Sequence, residues 1–113
     1  MPKFILISKG SSSGWDVLSP QEWENVMDDF AKWSVAINEK GKYIHAMSLD
    51  AKKSEILGKA DQYKVVDGPF AESKEGLTGL FIIEVESLAV AEELAKQCPT
   101  LLFDKLEIYQ SGV

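Results

Sequence analysis

The run Asp67-Gly68-Pro69-Phe70-Ala71-Glu72-Ser73-Lys74-Glu75-Gly76 sets one acid directly before the tightest turn signal in the chain and three further charges just after it. Gly68 admits backbone angles that other residues avoid, and Pro69 fixes its own φ and removes a donor, so the segment can aim side chains from the end of a sheet. Asp67 is thereby a candidate proton acceptor; the plainer role is turn-building, through bonds from its carboxylate to downstream amides. Lys74, between Glu72 and Glu75, keeps its charge and can orient a carboxylate substrate, against a plainer reading as a surface ion-pair cluster worth under about 1 kcal/mol. Glu75 stands nearest the next apolar run. His45 is the only histidine. Imidazole changes charge near neutral pH, which makes His45 the natural partner of Asp67 in proton transfer; the competing reading is a histidine satisfied by hydrogen bonds in a core or dimer face. Trp15 falls outside any helical stripe and can close over a pocket.

Several chemistries are excluded by what surrounds these residues. No Cys/His cluster has zinc spacing. Gly10-Ser11-Ser12-Ser13-Gly14 follows an apolar run but lacks the Gly-Lys-Ser/Thr ending of a phosphate loop and the spacing of a dinucleotide fingerprint. No metal and no tightly bound organic cofactor is expected. Formal net charge is -6, and all 12 basic residues are lysines. Without arginine's planar fork, an acidic chain is a poor reader of phosphate or base edges, so nucleic acid is not an expected partner. No apolar run approaches the ~20 residues that cross a bilayer. The start, Met1 to Ile7, reads as a first strand rather than a signal peptide. Cys98 has no second cysteine to pair with, which fits a reducing cytoplasm. It reads as a packing thiol at a helix end.

Elements must position these groups. Phe4-Ile5-Leu6-Ile7 suits a strand buried on both faces. Ser19-Pro20-Gln21-Glu22 is a capping box with proline at the first helical position. Trp23, Val26, Met27, Phe30, Trp33, Ser34 and Ile37 follow at helical spacing, and Gly41 is expected to end the helix in a left-handed turn. Tyr43 to Leu49 reads as a strand with Tyr43, His45, Met47 and Leu49 on one face. Lys53–Leu57 and Gln62–Val66 form a small hairpin. Leu77–Val85 reads as a central strand. Ser87 opens a second helix that Pro99 stops, and Phe103–Tyr109 reads as the last strand. The order β-α-β-(hairpin)-β-α-β is the ferredoxin-like, split βαβ pattern of an α+β fold. Two helices cover one face of a four-stranded antiparallel sheet. The strands are apolar on both faces, so a second copy of the chain is expected on the other.

The DGPF run followed by Ala71-Glu72-Ser73-Lys74-Glu75 resembles the signature of DGPF-domain proteins, a branch of the YCII-related family. The order of elements around it matches over nearly the whole chain, 1–113, as a single domain. The resemblance implies a dimeric α/β barrel, in which two ferredoxin-like units pair through their sheets. It also implies Asp67 as the centre of the site, with Glu72, Lys74 and Glu75 in the family pattern. That branch commonly has a small residue at the place of His45, so the histidine is not carried over. An arginine that often ends the last strand, near Tyr109-Gln110, is absent here. Fold analogy implies a cofactor-independent enzyme doing acid–base chemistry of the isomerase, lyase or dehalogenase type on a small organic acid. The alternatives are a non-catalytic ligand-binding or regulatory module in a sigma-factor or stress context, and a protein-interaction module.

Overall fold

The computed structural model describes residues 1–11, 13–50, 54–67 and 76–112, with Asp67 described in its backbone alone. The elements run β1 (Lys3–Gly10), α1 (Ser13–Asp16), α2 (Pro20–Lys40), β2 (Gly41–Ser48), β3 (Ser54–Lys59), β4 (Gln62–Asp67), β5 (Gly76–Val85), α3 (Leu88–Ala95), a 3₁₀ turn (Pro99–Leu102) and β6 (Lys105–Gln110). The main sheet has the order β2-β5-β1-β6, and β3-β4 forms a separate two-stranded sheet. The paired strands of both sheets are antiparallel. The architecture is therefore α+β and ferredoxin-like with an inserted hairpin, as the element order predicts.

Alternation builds the two faces of the sheet. Phe4 pairs with Ile83 and Leu6 with Phe81, and these residues are buried under the helices together with Val85, Trp33, Ile37, Ala91 and Leu94. Ile5 pairs with Ile82 and Ile7 with Leu80 on the opposite, open face. Trp33 ties the helical layer together by donating its indole N–H to the Leu94 carbonyl at 2.8 Å. The molecule is thin, 48 × 39 × 17 Å, as one sheet and one layer of helices require. Its radius of gyration of 16.2 Å exceeds the roughly 13 Å of a compact chain this long. The excess fits a hairpin that reaches out from the body, with Ile56, Tyr63 and Val65 exposed on one of its faces.

Ser19 caps α2 as its sequence demands. Its hydroxyl accepts from the Glu22 amide at 3.1 Å, and Glu22 Oε1 accepts from the Ser19 amide at 3.0 Å. Three expectations are corrected. Gly41 is extended (φ 174°), not left-handed; glycine is needed because a Cβ there would strike the Glu84 carbonyl. Trp23 and Met27 are exposed; of the apolar stripe, Val26, Trp33 and Ile37 are the residues buried. The segment Pro99–Leu102 is a 3₁₀ turn, so the last strand begins at Lys105.

Candidate functional site

Strand β2 carries the histidine, and a bulge decides where it points. Tyr43 pairs with Ile83, but His45 pairs with Ile82, so Ile44 is an extra residue and the alternation shifts by one. An extra residue on one strand of an antiparallel pair re-aims the side chains that follow it. Tyr43 and Ala46 consequently pack on the core, while His45 and Met47 lie on the open face beside Ile82 and Leu80. His45 is exposed there, not satisfied within the core. The expectation that Tyr43 and His45 share a face fails for this reason.

Asp67 is the last residue of β4 and pairs with Ser54. Glu72, Lys74 and Glu75 lie outside the described residues. Trp15 is placed. It sits half-buried on the four-residue α1, edge-on to Phe103 at 4.8 Å between ring centroids and 5.8 Å from Trp23. Its indole N–H donates to Asp104 Oδ2 at 3.0 Å.

Asp104 is the centre that sequence reasoning missed. It is 8% exposed, in the turn between the 3₁₀ segment and β6. Oδ2 is approached by four donors from four parts of the chain: Thr78 Oγ1 at 2.7 Å, Ser8 Oγ at 3.0 Å, Trp15 Nε1 at 3.0 Å and Thr100 Oγ1 at 3.4 Å. Ser8 Oγ also lies 2.8 Å from Thr78 Oγ1 and 2.9 Å from Thr100 Oγ1. Each hydroxyl has one proton to give. With Ser8 and Thr78 donating to Oδ2, Thr100 donates to Ser8. Among the described residues, Oδ1 is buried with no hydrogen-bond partner. It lies against Gly10, where a Cβ would collide with it, and a Cβ at Gly14 would collide with the Phe103 ring. Those two glycines let α1 close down on the cluster.

A second bulge builds this site. Ser8 pairs with Gly79 but Lys9 pairs with Leu77, so Thr78 is the extra residue and brings its hydroxyl to Ser8. The cluster thus lies on the helix-covered face, under the sheet from His45. Sequence offered one faint signal, a serine ending the apolar alternation Phe4, Leu6, Ser8.

A separate groove of about 260 Å³ runs between α2 and the turn after α3, lined by Asp29, Lys32, Trp33, Ala36, Gln97 and Pro99. Among the described residues, no group of three or more His, Cys, Asp or Glu side chains could hold a metal ion. No helix among them is long and apolar enough to cross a membrane. Burial pushes the Cys98 thiol up to about 12, so it is a packing group rather than a nucleophile.

Residues 3–110 match the YCII-related domain, and the chain belongs to that family. No curated protein matches it.

Proposed function

We propose that this YCII-related protein is of the DGPF branch and acts as a homodimeric, cytoplasmic, cofactor-independent enzyme doing acid–base chemistry on a small organic acid. His45 exchanges the proton, and Asp67, on the arm that leads into the DGPF motif, is its carboxylate partner. The observation that carries this reading is the β-bulge at Ile44, which turns the only imidazole out of the core onto an apolar sheet face that, among the described residues, no helix covers. A bulge beside a reactive group is a common device for re-aiming a side chain at an active site. A second copy of the chain laid on that face would enclose His45 among Ile5, Ile7, Leu80 and Ile82 and exclude water. Lys74 and Glu75 would take part in holding the substrate.

The test is a screen of small organic acids for turnover and binding, followed by His45→Ala and Asp67→Asn. Both changes should alter stability by no more than about 1 kcal/mol. Each should lower the rate on a true substrate by about 10²- to 10⁴-fold. Binding without turnover would identify the non-catalytic module instead. A clean monomer in sedimentation equilibrium at micromolar concentration, or full activity in both variants, would overturn the proposal.

A further inference from the structure

Trp15, Trp23 and Phe103 form an aromatic cluster at the surface, away from the main core. Trp23 is 39% and Phe103 44% exposed, although large apolar rings normally seek cover. Directly beneath Trp15 is the Asp104 carboxylate, buried, with Oδ1 unpartnered. Of the four groups within hydrogen-bonding reach of Oδ2, three come from the body of the fold: Ser8 on β1, Thr78 on β5 and Thr100 in the 3₁₀ turn. The fourth, the Trp15 N–H, comes from a single helical turn. It is the replaceable one.

The segment that carries Trp15 and Trp23 is acidic in sequence. The stretch from Gly10 to Ala31 carries Asp16, Glu22, Glu24, Asp28 and Asp29 and contains no lysine. Lys105 follows Asp104 in sequence, but its register partner is Lys9, next to Glu107 on the open face. Lys9 bonds Glu107 at 2.7 Å.

Aromatic rings beside a carboxylate are the chemistry that recognises organic cations. We propose that Asp104 with Trp15, Trp23 and Phe103 is a binding site for a small organic ammonium. Its N–H groups engage the Asp104 carboxylate in place of the Trp15 indole, and its alkyl part lies against the exposed faces of Trp23 and Phe103. The site is on the opposite face of the sheet from His45 and does not depend on the proposed acid–base activity.

The test titrates the full chain with n-butylammonium chloride at constant ionic strength, and in parallel with 1-butanol, its neutral counterpart. Affinity is read by calorimetry, and location by the indole N–H resonance of Trp15. The expected result is saturable binding in the millimolar range, a shifted Trp15 resonance, and butanol weaker by about tenfold or more. Asp104→Asn should abolish the preference for the cation. Trp15→Phe removes the competing N–H but keeps a ring, so it should tighten binding severalfold. Trp23→Leu should weaken binding by a few-fold. If Asp104→Asn fails to fold by circular dichroism, the other two variants decide. No saturable binding, equal binding of butanol, or affinities unchanged in the folded variants would overturn the proposal.

Discussion

Asp104→Asn is the substitution that most directly tests the buried network. The amide keeps one oxygen for Thr78, Ser8 and Trp15, so the shape of the site survives. Two things change. Hydrogen bonds to a charged acceptor contribute about 1.5–3 kcal/mol each and those to a neutral one about 1, so the set on Oδ2 weakens. The new NH₂ takes the place of Oδ1, against Gly10, where no acceptor meets it. An unpartnered buried donor costs a further ~1–3 kcal/mol. Relief from burying a charge offsets part of this, so the expected loss is about 2–4 kcal/mol, or a fall in Tm of roughly 10–20 °C for a domain of this size. That is a large part of a typical stability of about 5–15 kcal/mol, but it leaves the chain folded at room temperature. Thermal and urea unfolding followed by circular dichroism measure it. Ser8→Ala removes the hydroxyl shared by Thr78, Thr100 and Asp104, and should cost about 1–2 kcal/mol. Because both changes act on one network, the double variant should fall short of the sum. Destabilisation of Asp104→Asn below about 0.5 kcal/mol, or strict additivity with Ser8→Ala, would refute the network as described.

Two further outcomes follow from local geometry. Ser19→Ala should cost about 1 kcal/mol of stability by opening the α2 capping box. The Ser19 backbone amide, and then its hydroxyl, hold the Glu22 carboxyl below its usual value. The contribution of Glu22 is therefore present above the ordinary carboxylate range and lost as pH falls through the lowered value, so the penalty of Ser19→Ala should shrink in acid unfolding curves. Burial raises the Cys98 thiol from 9.0 to about 12. Its linkage contribution is whole below pH 9.0 and is lost as pH rises toward 12; native protein should resist a thiol-specific disulfide reagent, and reaction should track unfolding in urea.

Much of the frame is legible because it rests on local rules. The capping box at Ser19, proline at the helix start, the two-sided apolar run of β1 and the hairpin are each written within a few adjacent residues. The errors have physical causes. The helical stripe from Trp23 to Ile37 is continuous in sequence, but Trp23, in the first turn of α2, meets Trp15 rather than the core. Asp104 is one acid among 18 Asp and Glu residues. Its partners sit at positions 8, 15, 78 and 100, a coincidence that only the sheet order β5-β1-β6 produces.

Both groups with chemical potential stand where the ladder of β5 breaks register. Opposite Ile82 the extra residue is on β2, and the histidine turns outward. Opposite Ser8 the extra residue is Thr78 on β5 itself, and a hydroxyl turns inward toward a buried carboxylate. Strict alternation admits neither arrangement. With no bulge at Ile44, period-two order keeps Tyr43 and His45 on one face, and packing Tyr43 on Trp33 would carry the imidazole into the core with it. With no bulge at Thr78, the hydroxyl would fall on the face opposite Ser8. A bulge costs a ladder hydrogen bond and adds local twist. One strand bordered by two such irregularities, each placing a polar side chain that regular pairing would misdirect, argues that β5 is shaped around these positions as well as around the core.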